Sequence, residues 1–197
     1  LESRVHLAVA GRAGEERGSR FLGRAQLVDV FGTVVAEAGS EDDAKARFAL
    51  SGLSRYVGRS GAEQERLMYA RLLIECLQGE SENEAKAFFI RQLQLIGKKE
   101  SGGPFSELLS DQRLSGPATR ALVTINTKGV PAKLLEALKN SSDFNRLKLI
   151  KALGELQSRP ATKEIKKYAA SEDATTKEIA LYALANIGDA SSQKILA

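Results

Sequence analysis

Apolar side chains recur along the second half of the chain in a short motif, Leu-x-x-Ile or Leu-x-x-Leu, which appears four times. The leucines that begin the copies are separated by 29, 31 and 31 residues; they are Leu93, Leu122, Leu153 and Leu184. A fixed period of this length is typical of stacked supersecondary units, because one such unit cannot bury its apolar face alone. The pattern therefore predicts a repeat protein.

Each copy predicts two helices joined by a short turn. The motif belongs to a first helix with apolar positions at the 3.6-residue period. A proline begins the second apolar block of three copies; these are Pro104, Pro131 and Pro160. Proline suits the first turn of a helix, where its missing N–H would have no partner. The fourth copy has Ala190 instead, preceded by Asp189 as a predicted cap, and Asp143 and Asp173 are predicted to cap first helices.

The residues around the central leucines predict how the helices pack. Ala152 and Ala183 each precede a central leucine, and they are small enough to let neighbouring helices approach closely. Tyr168 and Tyr182 lie at apolar positions of the helical period, so we expect them in the core.

These patterns predict an all-α fold: a right-handed α-solenoid of about five stacked antiparallel helix pairs. Regular units are expected at roughly 82–113, 114–143, 144–173 and 174–197, within an array that begins at residue 42. Between 42 and 81 the helical pattern persists at a longer spacing. Residues 1–41 are expected to form an irregular N-terminal segment or a degraded repeat; one helix over 21–39 is weakened by Gly32 and the β-branched residues that follow it.

The segment "ALYALANIGDASSQKIL" and its three upstream relatives resemble bacterial HEAT-like repeats, also called PBS-lyase-type repeats. In that family Ala-Leu-x-x-Ile-Gly-Asp closes the first helix and the second helix follows at once. The Ile-Gly ending is present at Ile96-Gly97 and Ile187-Gly188 but becomes Ile125-Asn126 and Leu156-Gln157 in the middle copies. The resemblance covers 82–197 well and 42–81 more weakly. It implies a HEAT-like, armadillo-like superhelix and an extracytoplasmic setting in a bacterial protein.

Composition adds constraints on chemistry. Cys76 is the only cysteine and His6 the only histidine, so internal disulfides, multi-cysteine or multi-histidine metal sites and a Ser-His-Asp arrangement near the repeats are not expected. Cys76 is predicted to be a buried structural thiol. The acidic runs at 41–43 and 80–84 precede predicted helices, where acidic residues are favoured by the helix dipole. We therefore predict no enzyme, no cofactor, no metal site and no small-molecule substrate. No apolar run approaches the length of a membrane span.

Charge is uneven along the chain. Residues 113–197 carry 14 Lys/Arg against 8 Asp/Glu, whereas residues 1–112 carry 15 against 17. Lysines at outward-facing positions of the second helices would align across stacked units into a lysine stripe, which comprises Lys133, Lys163, Lys166, Lys167 and Lys194. The resemblance implies that second helices line the concave side.

Four functions follow as hypotheses. A protein or peptide partner, bound by the extended surface of an interaction scaffold, is favoured because such folds commonly host it. Nucleic-acid binding through the lysine stripe is the alternative, although aromatic side chains for base stacking are missing there. A spacer module is a third hypothesis, and an enzyme of the phycobilin-lyase or DNA-glycosylase kind is a fourth, by fold analogy alone. The last unit ends at Ile195 and Leu196 without a polar capping helix, so we expect further sequence in a larger protein.

Overall fold

The protein is mostly helical, as predicted. The computed structural model describes the backbone of residues 14–16, 19–21, 25–28, 34–38, 43–79, 81–141 and 143–196, and side chains from residue 47 onward except at 80, 142–144, 196 and 197. The chain divides into two compact units, Leu1–Ser101 and Gly102–Ala197.

Among the described residues of the first unit, four short strands are the exception to the helical class. β1 (Gly14–Glu16) pairs antiparallel with β2 (Ser19–Phe21), and β3 (Ala25–Val28) pairs antiparallel with β4 (Val34–Ala38). The described residues between 21 and 39 lie in strands and not in a single helix. The β-branched pair Val34 and Val35 instead begins a strand, where such side chains fit well.

The described residues after β4 in the first unit form three helices: α1 (Asp43–Val57), α2 (Glu63–Gln78) and α3 (Asn83–Ile96), followed by a 3₁₀ turn at Lys99–Ser101. All three pack against one another. Their core includes the fully buried Tyr69, whose hydroxyl donates to the carbonyl oxygen of Leu50 at 3.0 Å and so ties α2 to α1. Ser54 of α1 donates to the amide oxygen of Gln92 in α3 at 2.9 Å.

The second unit continues with seven helices among its described residues, and short 3₁₀ turns follow α4 and precede α8 and α10. They are α4 (Gly102–Glu107), α5 (Ser115–Ile125), α6 (Val130–Lys139), α7 (Asp143–Glu155), α8 (Thr162–Ala169), α9 (Ala174–Ile187) and α10 (Gln193–Leu196). The first helices of consecutive repeats are neighbours, because α7 packs against both α5 and α9. The second helices α6 and α8 pack against α7 and α9 respectively.

Burial recurs at the predicted positions. The four central leucines, which begin the motif copies, are completely buried. Twelve residues after the first three of them, the second helices also bury an apolar side chain completely; these are Phe105, Leu134 and Ile165. The predicted burial of the central leucines and of Ile165 is therefore confirmed.

The turns between first and second helices share a backbone conformation in three of the four copies. Asn126, Gln157 and Gly188 all have a positive φ, at 40°, 49° and 63°. The middle copies thus keep the left-handed turn although they lack glycine. Gly97 differs, since its φ is −67°. There a Cβ would collide with the hydroxyl of Ser101 and approach the carbonyl oxygen of Leu93 to 2.5 Å.

Two of the predicted caps are confirmed. A carboxylate oxygen of Asp173 accepts the backbone N–H of Thr176 at 2.7 Å at the start of α9. Asp189 accepts the backbone N–H of Ser191 at 2.8 Å in the turn before α10. The side chain of Asp143 lies outside the described residues.

The backbones of α7 and α9 come unusually close at Gly154. A Cβ added there would lie 2.7 Å from the Cα of Ala183 and 2.8 Å from its Cβ. The prediction that Ala183 allows close helix approach is therefore confirmed, and Gly154 supplies the other half of the contact.

Gly154→Ala is expected to lower the free energy of unfolding by about 1 to 3 kcal/mol, because the added methyl group overpacks the contact between α7 and α9. The loss occurs despite the better helix propensity of alanine, which is worth about 1 kcal/mol. Urea unfolding followed by circular dichroism measures it. Gly116→Ala in α5 is the matched control, since its Cβ would meet Lys148 only at ordinary contact distances beginning at 3.6 Å. Equal effects of the two substitutions would contradict the predicted close contact.

Candidate functional site

The lysine stripe predicted from the sequence is partly engaged by neighbouring groups. Lys133, Lys163 and Lys194 are exposed, and the ammonium of Lys133 donates to the carbonyl oxygen of Gly102 at 3.3 Å. Lys166 donates to the carbonyl oxygen of Ser191 at 2.6 Å and to its hydroxyl at 2.8 Å. It therefore links α8 to the 3₁₀ turn that precedes α10, the second helix of the next repeat.

The side chain of Lys167 pairs with a carboxylate of its own helix, α8. Its ammonium lies 2.7 Å from a carboxylate oxygen of Glu164, and this hydrogen bond raises the pKa of Lys167. The contact of Lys166 is one that the helical spacing alone did not reveal, because its partner Ser191 lies 25 residues away.

A polar cleft of about 380 Å³ lies in the first unit, where the loop after α1 meets the end of α3. It is lined by residues 58–61 and 95–98 together with Glu63 and Arg66. Arg59 at its edge stacks over the ring of Tyr56, with the guanidinium carbon 3.8 Å from the ring centroid.

Arg66 occupies the buried floor of this cleft and joins three segments of the unit. Its guanidinium makes two hydrogen bonds to the carboxylate of Glu63, at 2.8 and 3.1 Å. It also donates to the carbonyl oxygen of Ile96 at 2.6 Å and to Glu100 at 2.6 Å. Lys98 completes the group with a 2.7 Å contact to Glu63.

The charges in this cleft satisfy one another. The hydrogen bond from Arg66, followed by that from Lys98, lowers the pKa of Glu63 to about 2. Burial opposes the ionisation of Glu100, but the hydrogen bonds from Arg66 and from backbone N–H groups outweigh it and hold the pKa of Glu100 below its ordinary value. The arrangement acts as a clamp on the end of α3 and offers little uncompensated charge to a ligand.

Because Glu63 and Glu100 have lower pKa values in the folded than in the unfolded chain, they stabilise the fold above about pH 4.5. That contribution is expected to disappear as the pH falls from about 4.5 toward 2, since the carboxylates must then take up protons. Urea unfolding at a series of pH values measures the loss. Glu63→Gln should flatten this pH dependence, and a variant with the wild-type slope would contradict the assignment.

A second group of cations lies on the first helices of the second unit, and we call Arg120, Lys148 and Lys151 the basic ridge. Arg120 of α5 and Lys151 of α7 are exposed and occupy the same repeat position, two residues before a central leucine. Lys148 is half-buried one turn before Lys151. Burial, followed by the charge of Arg120, lowers the pKa of Lys148.

A buried polar network fixes Lys148 against the start of α5. Its ammonium donates to the hydroxyl of Ser115 at 3.4 Å. That hydroxyl donates to the side-chain oxygen of Asn145 at 2.6 Å, and the amide of Asn145 donates to the carbonyl oxygen of Leu109 at 3.2 Å. These bonds hold α5 and α7 together beneath the ridge.

Tyr182 of α9 occupies the same repeat position as Arg120 in α5 and Lys151 in α7. The prediction that it packs in the core is wrong, since the residue is 56% exposed. The buried positions of α9 are Ala180, Ala183, Leu184 and Ile187, so residue 182 faces away from them. Tyr168 is half-buried, with the guanidinium carbon of Arg146 5.2 Å from its ring centroid. The sequence pattern predicted exposed cations on the second helices and gave no prediction for this ridge on the first helices.

Cys76 is half-buried, and burial raises its pKa to about 11, which disfavours the nucleophilic thiolate at neutral pH.

Within the described part of the chain, no group of three or more His, Cys, Asp or Glu side chains is placed to hold a metal ion. His6 lies outside the described residues. Among the helices that the structure describes, none is long and apolar enough to cross a membrane.

These features define a mostly helical protein with an internally neutralised polar cleft in one unit and an exposed basic ridge in the other. The sequence matches no protein-family model, and no curated protein matches it.

Proposed function

We propose that the protein is a non-catalytic scaffold that binds a protein partner through the exposed faces of a HEAT-like helical repeat array. The observation that carries the proposal is the arrangement of α5, α7 and α9. These first helices of consecutive repeats pack as neighbours and bury their central leucines completely. Such packing leaves equivalent outward positions repeated along a continuous face, and faces of this kind suit broad protein contacts.

The proposed architecture is a right-handed α-solenoid of stacked antiparallel helix pairs. It is supported by the recurrence of a buried residue at the same place in successive first and second helices and by the left-handed turn shared by three copies. A repeat that buries the same side of each helix against its neighbours produces a stack of this kind.

Affinity capture from a lysate of the source organism, followed by reconstitution with the purified captured protein, tests the proposal. The full chain is immobilised, and capture is performed with and without nuclease at low and high salt. A nuclease-resistant partner that rebinds in purified form with a micromolar or tighter Kd is the expected result. An empty eluate would overturn the scaffold proposal and favour the spacer.

The principal alternative is nucleic-acid binding through the lysine stripe. Its exposed members Lys163 and Lys194 occupy equivalent positions one 31-residue repeat apart, which supports a stripe. Capture that is lost after nuclease treatment and falls steeply with salt would favour this alternative over the protein scaffold.

A further inference from the structure

Two cations of the basic ridge, Arg120 and Lys151, have exposed side chains. Neither Arg120 nor Lys151 forms an ion pair with another residue in the part of the chain that the structure describes. This contrasts with the cleft of the first unit, where Arg66 and Lys98 both contact carboxylates. It also contrasts with Lys167 of the lysine stripe, which contacts Glu164.

Arg120 and Lys148 lie close enough for their charges to repel one another. Lys148 is held at the start of α5 by Ser115, and a Cβ on Gly116 would lie 3.6 Å from its ammonium nitrogen. Arg120 follows Gly116 by one helical turn, and its charge acts on Lys148. Lys151 follows Lys148 by three residues, which brings both side chains to one side of α7. An anion placed over the ridge would relieve this repulsion.

The helices that carry the ridge are fixed relative to one another, so the charges have a defined arrangement. The hydrogen bonds through Ser115 and Asn145 join α5 to α7, and the contact of Gly154 with Ala183 joins α7 to α9. Packed helices lie about 8 to 10 Å apart. Arg120, Lys151 and Tyr182 therefore form a row across three neighbouring helices, at equivalent repeat positions.

We propose that the basic ridge and Tyr182 bind an acidic segment of a polypeptide partner, with carboxylates over the cations and an apolar side chain against the tyrosine ring. This inference rests on the proposed scaffold function and specifies the chemistry of the partner.

A polypeptide fits this surface better than a nucleic acid. Single-stranded nucleic acids are bound by aromatic platforms interleaved with the cations, whereas this row has one aromatic side chain at its end. Tyrosine and arginine are among the residue types enriched in the side chains that dominate binding at protein interfaces. In a peptide with the polyproline II conformation, side chains three residues apart face the same side and are separated by about 9 Å, which matches the spacing of neighbouring helices.

Fluorescence anisotropy with a labelled acidic peptide of about ten residues, mostly glutamate with interspersed leucine, tests the inference on the full chain. We expect saturable binding that weakens with salt, since the cations are exposed. Arg120→Glu with Lys151→Glu should weaken binding at least tenfold. Tyr182→Ala should weaken it about threefold, because the ring loses its apolar contact.

Lys163→Glu with Lys194→Glu is the matched control, because it changes the net charge equally at exposed positions on second helices. It should change the affinity less than about twofold. If the glutamate pair at the ridge lowers the melting temperature, Arg120→Gln with Lys151→Gln replaces it and should still weaken binding about fivefold.

Three results would overturn the inference: no peptide binding at about millimolar concentration, equal weakening by the ridge and control pairs, or tighter, ridge-dependent binding of a labelled oligonucleotide. Failure of the scaffold proposal is a separate observation. A captured partner that rebinds the ridge variants with wild-type affinity would support the scaffold proposal and contradict a binding role for the ridge.

Discussion

Leu93→Ala should lower the free energy of unfolding by about 2 to 5 kcal/mol. Leu93 begins the first copy of the motif in α3 and is completely buried, so its truncation removes apolar contacts and leaves a cavity. The equivalent substitutions Leu153→Ala and Leu184→Ala in the second unit should cost a similar amount, because both side chains are equally buried. Chemical denaturation followed by circular dichroism at 222 nm measures the change.

Leu95→Ala provides the control within the same helix. Leu95 is 65% exposed and lies two residues from Leu93, so the same substitution should change the free energy of unfolding by less than about 0.5 kcal/mol. Comparable losses at Leu93 and Leu95 would show that the burial register of α3 is wrong.

Arg66→Leu should lower the free energy of unfolding by about 3 kcal/mol, because it leaves the largely buried carboxylate of Glu100 and the carbonyl oxygen of Ile96 without their strongest donor. Arg71→Leu in the same helix is the control, since Arg71 is exposed, and should have an effect below about 0.5 kcal/mol. Urea unfolding at pH 7 measures both.

Adding Glu100→Leu to the Arg66 variant distinguishes an ionic clamp from simple packing. If the cost of Arg66→Leu comes from an unpaired buried carboxylate, the double variant should recover a substantial part of the lost stability. The carbonyl oxygen of Ile96 still lacks its donor, so a deficit of about 1 kcal/mol should persist. A double variant that is less stable than the single one would refute the clamp.

Much of the helical architecture could be predicted from the sequence because burial follows local periodicity. The central leucines, the caps at Asp173 and Asp189 and the close approach at Ala183 depend on spacing within one or two helices. The turns at Asn126 and Gln157 could not be predicted from residue type, because glycine is the residue that usually adopts their conformation.

The candidate sites were harder to predict because they depend on distant residues. Arg66 meets Ile96 and Glu100 only after α2 and α3 have packed, and a single sequence carries no signal for that pairing. The row of Arg120, Lys151 and Tyr182 did leave a signal, since the three residues share one repeat position. The row was not predicted because Tyr182 was expected to be buried in the core.

The turn glycines of this protein are subject to two unrelated kinds of mutational constraint. At Gly188 the constraint is on the backbone dihedral angle, and Asn126 shows that a side chain can occupy the equivalent turn. At Gly97 the angle is ordinary and the constraint is on space, since any Cβ would meet Ser101 and Leu93. Sequence drift can therefore erase the glycine from three of the four turns while the helices keep their register, whereas position 97 should tolerate glycine alone.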